Sequence, residues 1–513
     1  MTPIRLISGF LTVGVWTLLS RVLGFVRDIM IAAFLGAGPV AEAFLIAFSL
    51  PNMFRRFFAE GAFNMAFVPM FSKKLEAGDD PEGFARDALT GLASVLIVFT
   101  VLALFAMPYL VWAMASGFVG DVRFDLAVNF GRIAFPYILF ISLAALLSGV
   151  LNAMGRFVAA AAAPVVLNIV FIAALLLATA LGWPMGTTLA WAVPVAGIGQ
   201  LALVWWSASK AGIDITPRRP RMTPDLKRLA IIAAPAALAG GVMQVNLLVG
   251  RQVASFTEGA IAWLNYADRL YQLPLGVVGI AIGVVLLPDL SRKLQAGDDE
   301  GGRYSFNRAT ELSLALTIPA AIALLAIPFE LISVLFQRGA FTQSDSEATA
   351  LALSIYGLGL PAFVLQKALQ PLYFAREDTK RPFYFALVSL VVNAVLAIGL
   401  ISSFGFLAAA IGTSVAAWAM VLLLWLGARS MGPAAQFDAR FADRLPKIMI
   451  ASIGMGLVLV AFSGVLAPMI ASAGLRYIGL ALLISLGITS YFGTAHLTGA
   501  FTFGELRQAL KRR

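Results

Sequence analysis

Long apolar runs, each broad enough to cross a bilayer, alternate with short polar connections along almost the whole chain. A helix crossing the hydrocarbon core needs about 20 such residues. Fourteen runs meet that requirement: 7–35, 40–58, 87–114, 124–152, 158–181, 186–209, 226–254, 260–288, 307–328, 347–374, 382–403, 406–428, 446–467 and 475–495. The stretch 57–72 (FFAEGAFNMAFVPMFS) reads either as an extension of the second run or as an interfacial segment. The first run contains Arg21, Arg27 and Asp28, which the short apolar region of a cleaved signal would not tolerate, so it is read as a retained span. The pattern predicts an all-α polytopic membrane protein of about fourteen transmembrane helices.

Composition narrows the class further. Of 513 residues 60% are hydrophobic and 12% charged, about half the 25% typical of soluble domains. A soluble enzyme and a disordered chain are excluded. With no Cys, so are a disulfide scaffold and a Cys-based zinc or iron–sulfur protein.

The net charge of +10 has a topological cause. Of 37 Lys and Arg, 26 fall in the amino terminus, the even-numbered connections and the carboxyl tail, and the odd connections hold only Arg123, Arg338 and Arg476. Basic residues concentrate on the cytoplasmic side, so both termini are placed there. Topology thus accounts for the basic balance, and no nucleic-acid partner is implied.

The chain repeats itself. Residues 69–80 (PMFSKKLEAGDD) and 288–299 (PDLSRKLQAGDD) agree at eight of twelve positions with an offset of 219, and Asn168 and Asn393 echo each other at 225, as do Pro136 and Pro361. Both copies fall on the same side, so the repeat is parallel, six spans plus six. The expected organisation is an amino-terminal six-helix lobe (1–212), a second six-helix lobe (225–430), an appended pair of helices (440–496) and a basic tail (497–513). Such paired lobes suit a transporter that rocks one against the other.

Eight basic residues remain inside the spans: Arg21, Arg27, Arg55, Arg56, Arg132, Arg251, Arg269 and Lys367. Arg132 and Arg251 fall near the outer ends, where snorkelling explains them. For Arg56 and Lys367 an inner-end position and a functional one both stay open. Asp28, Glu60 and Asp268 accompany the cations. An Arg at the bilayer centre costs about 2.5–3.5 kcal/mol, so four facing lipid would cost on the order of 10–14 kcal/mol. Asp28 beside Arg27, and Asp268 beside Arg269, neutralise only part of this, so the arginines are expected to line a hydrated, cationic cavity. Ser20 and Gly24 stand where the first helix could bend to turn Arg27 inward. The excess of cations selects an anionic substrate, and Arg forks suit phosphate and diphosphate groups.

Three blocks, SRVLGFVRD (20–28), PNMFRRFFAEGAF (51–63) and YADRLYQLPLGVVGIAIGVVLLPDLS (266–291), with FQRGAFT (336–342), resemble the MurJ/MviN lipid II flippases of the multidrug/oligosaccharidyl-lipid/polysaccharide exporter superfamily. The resemblance runs end to end. It implies a transporter, not an enzyme, that moves the lipid-linked peptidoglycan precursor across the bacterial inner membrane through a cationic cavity with alternating access. It implies lipid II as partner, membrane lipids around it, and contact with the cell-wall synthesis machinery. Carried over by motif, Arg21, Arg27, Asp28, Arg55 and Arg269 would bind substrate, with Glu42, Arg56, Glu60, Asp268 and Lys367 in support. The last two helices would hold the polyprenyl tail. Some relatives bind sodium through carboxylates in the second lobe. Spans seven, eleven and twelve carry no acid here, so no cofactor or metal is expected and the membrane potential is the expected driving force.

Competing readings keep the same chemistry in different hands. A flippase for another polyprenyl-diphosphate oligosaccharide would share the cavity. A multidrug antiporter would need the opposite charge. A membrane transferase acting on lipid-linked sugars would need a metal site, for which Asp79–Asp80 and Asp298–Asp299 are the candidates, although a solvated turn is the plainer reading of each GDD.

Overall fold

In the computed structural model, which describes residues 3–56, 62–281 and 286–501, helix boundaries follow local chemistry. α1 (Pro3–Leu35) stops at Gly36, which takes φ +67°, and Pro39 opens α2 (Pro39–Arg55) at its first turn. Proline suits that position because the amide hydrogen it lacks would have no helical partner there. α3 (Ala62–Ala77) ends at Gly78, and the Asp80 carboxylate then accepts a 2.9 Å bond from Gly83 N to cap α4 (Pro81–Phe105). Of the stretch 57–72, read as an extension of span two or an interfacial segment, residues 62–72 lie in α3 and residues 57–61 lie outside the described residues. The repeat copy behaves alike: Gly297 takes φ +71° and Asp298 caps the next helix through Gly301 N at 2.8 Å. The two GDD sequences are therefore turns and helix caps.

The remaining helices are α5 (Met107–Met114), α6 (Val122–Ala134), α7 (Tyr137–Ala153), α8 (Val158–Leu181), α9 (Met185–Lys210), α10 (Pro224–Ser255), α11 (Ala260–Ala281), α12 (Leu287–Gln295), α13 (Asp299–Ala326), α14 (Pro328–Phe336), α15 (Gln343–Phe374), α16 (Lys380–Gly399), α17 (Ile401–Phe404), α18 (Leu407–Ala428), α19 (Ala439–Ala471) and α20 (Arg476–Leu497). No strand occurs among the described residues. The expected spans fall on helices or broken pairs of helices, and parts of 40–58 and 260–288 lie outside the described residues. Among the described residues nine helices are long and apolar enough to cross a membrane, or ten if α6 and α7, bent by 41° around Phe135 and Pro136, count as one span. Pro136 cannot continue the amide ladder, which is the local cause of the break.

Two compact units emerge. The first runs to Ala262 and includes Arg338–Phe341, and the second comprises Trp263–Gln337 and the described residues from Thr342 onward. In the first, α8 packs between α1 and α9, α2 lies on α6, and α3 touches α7 and α10. Aromatic rings fill its core: Phe44, Phe48 and Phe171 meet at 5.3–6.0 Å, and Phe67 stacks on Phe84 at 5.4 Å. A buried relay ties three helices, with the Tyr137 hydroxyl donating to Gln200 Oε1 (3.1 Å) and Gln200 Nε2 donating to Ala163 O (3.0 Å).

α10 belongs to this first unit. Its C-terminal end is latched to the 3₁₀ turn Ser116–Phe118: Gln252 Oε1 accepts from Ser116 N (2.9 Å) and Oγ (2.8 Å), and Ser255 Oγ accepts from Gly117 N (3.0 Å). A Cβ on Gly117 would lie 2.6 Å from the Ser255 backbone, so only glycine allows the approach.

In the second unit α15 is central, packed by α13 and α18, while α16 leans on α18 and the pair α19–α20 covers α13. The Tyr373 hydroxyl donates to Leu424 O, joining α15 to α18, and the Tyr491 hydroxyl donates to Ala315 O at 2.6 Å, joining α20 to α13.

Candidate functional site

α1 packs on α8 around Gly24 and two hydrogen bonds made by Asn168. Gly24 faces α8, and a Cβ there would stand 3.6 Å from the Asn168 amide. Asn168 Nδ2 donates to the Ser20 carbonyl (2.9 Å) while its Oδ1 accepts from Arg27 Nη1 (2.9 Å). Arg27 Nε and Nη2 both donate to Asp28 Oδ1, at 3.0 and 2.7 Å, and the Phe171 ring lies 5.6 Å from the guanidinium carbon. Arg27, Asp28 and Asn168 are 7%, 6% and 4% exposed. Arg27 is turned inward without a break, for α1 is one continuous helix through Ser20 and Gly24.

The other expected site residues are spread over both units. In the first, Arg21 is exposed on α1 beside the exposed Leu18 and Val22, Arg55 is half-buried and Arg56 exposed. Glu60 lies outside the described residues, as do positions 502–513 of the basic tail. In the second, Asp268 and Arg269 are half-buried on α11 and Lys367 is exposed on α15. Gln272 Nε2 and the Tyr271 hydroxyl bond to Asp268, and the Tyr271 ring lies 5.1 Å from Tyr356 and 5.5 Å from Phe363, so Asp268 sits where α11 meets α15.

Glu42 is wholly buried on α2. Its Oε2 accepts from Arg123 Nη1 at 2.9 Å, and its Oε1 accepts from Ile261 N, in the first turn of α11, at 3.0 Å. A carboxylate at that helix start is favoured by the helix dipole. Arg123 also donates to Asp121 Oδ2 (2.6 Å) and stacks on Phe118 at 4.5 Å. Burial opposes ionisation of Asp121, but the Arg123 amide and guanidinium outweigh it and hold the carboxyl below its ordinary range. Near this site the segment Arg338–Phe341 rests on the end of α1, with Ala340 N donating to Ala33 O at 2.8 Å.

The acids counted from the sequence as lying in the spans were too few. Besides Glu42, Asp87 on α4 and Glu311 on α13 are buried near the basic ends of their helices, and both hold arginines. Asp87 Oδ1 meets Arg218 Nε at 2.8 Å and Arg221 Nε at 3.1 Å. Glu311 meets Arg308, Arg440 (3.3 Å) and Arg444 (2.9 Å), and Arg308 also pairs with Asp438. The first unit thus ties the connection before α10 to an acid on α4, and the second ties the start of α19 to an acid on α13. Asp438, the cap of α19, is drawn below the ordinary carboxylate range: burial opposes this, while the Phe441 amide and Arg308 prevail.

The second unit also contains an apolar cavity of about 530 Å³. Leu270 and Pro274 of α11, Leu316 and Pro319 of α13, Met455 and Leu459 of α19, and Leu480 and Ile484 of α20 are among its walls. It can accept hydrocarbon and offers nothing to an ion.

Sequence reasoning noticed Asn168 only as a repeat echo of Asn393. The two have diverged: Asn168 turns to α1, whereas the Asn393 carboxamide oxygen lies 2.7 Å from where a Cβ of Gly412 on α18 would be. Arg123 was assigned to a connection by its charge, and no signal marked it as the partner of Glu42. The spacing of Asp87 and Glu311 within the repeat, close to the 219–225 offset, was a signal that could have been used.

The family profile described as lipid II flippase MurJ matches residues 31–479. A probable lipid II flippase MurJ of Rhizobium tropici is 45% identical over 99% of this chain and 97% of its own length. One of Rhizobium meliloti is 44% identical over 99% and 96%. A solved structure of a lipid II flippase MurJ in an inward closed conformation superposes with a TM-score of 0.79 at 26% identity, covering 94% of this chain and 98% of that one. All-helical, with many membrane-crossing helices and matched to these relatives over nearly its whole length, the chain is an integral membrane protein that belongs to the lipid II flippase MurJ family.

Proposed function

We propose that the chain is a lipid II flippase, a transporter that carries the lipid-linked peptidoglycan precursor from the inner to the outer leaflet of the bacterial inner membrane. The carrying observation is the buried Arg27–Asp28–Asn168 cluster, in a chain 45% identical to a probable lipid II flippase. A guanidinium held away from lipid is suited to gripping a diphosphate. Arg21, Arg55 and Arg269 are the further cations assigned to the headgroup, with Glu42, Arg56, Glu60, Asp268 and Lys367 supporting them. The apolar cavity beside α19 and α20 supports a place for the polyprenyl tail.

In the cycle we propose, the diphosphate enters from the cytoplasmic side, is held by the arginines, and leaves after the lobes rock outward. The termini face the cytoplasm in this reading, which the concentration of 26 basic residues in the termini and even-numbered connections supports. An inside-negative potential drives both halves of the cycle at about 2.3 kcal/mol per charge per 100 mV. It pushes the anion outward and draws the emptied, positive site back. Contact with the cell-wall synthesis machinery belongs to the same reading. The decisive experiment is rescue of a bacterium depleted of its lipid II flippase, combined with a leaflet-accessibility assay for the precursor. Failure to rescue, or chemical alteration of the lipid, would refute the proposal.

A further inference from the structure

Arg27 carries five N–H groups. Three are committed: Nε and one hydrogen of Nη2 to Asp28, and one hydrogen of Nη1 to Asn168. By subtraction two remain, one on each terminal nitrogen, and each can donate to a phosphate oxygen. The orientation of that pair depends on Asn168. Its Nδ2 is fixed by the Ser20 carbonyl on α1, so its Oδ1 must face Arg27. The reverse amide orientation would set donor against donor and acceptor against acceptor. Asp28 Oδ1 holds the Nε–Nη2 edge, and Asn168 holds the Nη1 end. Burial of all three side chains makes each lost bond costly.

We infer that Asn168 is a positioning residue that sets Arg27 as a two-pronged grip for a diphosphate and couples its orientation to the α1 backbone at Ser20. This rests on the flippase reading and adds a residue to it. Asn168 touches Arg27, not substrate, so its loss weakens selection for the diphosphate more than binding of the lipid as a whole.

The test uses the full chain in lipid nanodiscs and measures equilibrium binding of undecaprenyl diphosphate and undecaprenyl monophosphate. Asn168→Ala is expected to weaken the diphosphate about tenfold and the monophosphate less than about twofold. On an Arg27→Ala background it should cost nothing further, because the residue acts through Arg27. Equal weakening of both lipids, or an undiminished effect without Arg27, would overturn the inference. If Asn168→Ala does not fold, Asn168→Asp keeps the size and the acceptor while losing the donor to Ser20. Unchanged diphosphate binding in that variant would overturn it equally. Normal diphosphate binding by Arg27→Ala alone would instead sink the assignment of Arg27 to the headgroup, a different failure from that of Asn168.

Discussion

Glu42 on α2 and Arg123 at the start of α6 form a 2.9 Å ion pair whose side chains are 0% and 6% exposed. Because Glu42 also accepts the Ile261 amide, the pair fastens the beginning of α11 as well as α2 to α6. Breaking one partner of a buried pair leaves an uncompensated charge. Arg123→Ala is therefore expected to destabilise the protein by about 3–5 kcal/mol. The double variant Glu42→Gln with Arg123→Met should recover part of that loss. Thermal unfolding of the purified variants checks this, and a double variant no better than Arg123→Ala would refute it.

Arg27→Lys keeps the charge and removes the fork. Lysine cannot reproduce three planar N–H bonds to Asp28 and Asn168. The expected outcome is a protein that inserts and folds but flips lipid at least about tenfold more slowly. Arg269→Ala should likewise stop flipping while leaving insertion intact. Complementation with leaflet accessibility reads both, and normal growth on either variant would remove that residue from the site.

Gly339 has φ +58°, and a Cβ there would stand 2.2 Å from the Ala33 carbonyl, where the 338–341 segment crosses the end of α1. Gly120 has φ +86° with nothing within 4 Å. Gly120→Ala should cost only the left-handed conformation, about 1–2 kcal/mol. Gly339→Ala should cost clearly more, because backbone must also move. Equal melting temperatures for the two variants would contradict this.

Asp438 has its pKa lowered on folding, so its contribution is present above its unfolded value, about 3.9, and is lost as pH falls through the folded value. Stability measured between about pH 5 and pH 2 should fall less steeply in Asp438→Asn than in the native chain. Identical slopes would show that the Arg308 clamp carries no linkage.

Flipping should stop when the membrane potential is collapsed and should persist when sodium is replaced by potassium. Persistence without a potential, together with arrest on sodium removal, would reverse the proposed energetics.

The fold was legible in proportion to how directly apolar length dictates it. Spans such as 158–181 became α8 because Gly182, with φ +67°, stops the helix where the apolar run ends. The latch of Gln252 and Ser255 on α10 was not legible, since those residues look ordinary until a partner distant in sequence is known. Within the site, Arg27 and Asp28 stood out because charge is costly in a membrane. Asn168 is neutral and common, and Arg123 merged into the count of basic connections. Charge excess marks where ligand chemistry is placed. The neutral residues that aim it leave almost no trace in a single sequence.

The sequence duplicates across the connection between α9 and α10, yet the latch on Gly117 keeps α10 with the helices that precede it. A boundary drawn from the repeat and one drawn from packing therefore differ by an entire helix. Spectroscopic labels on α4 and α10, which stand on either side of the repeat boundary, would both sit inside one compact unit, and their separation would report the packing of that unit.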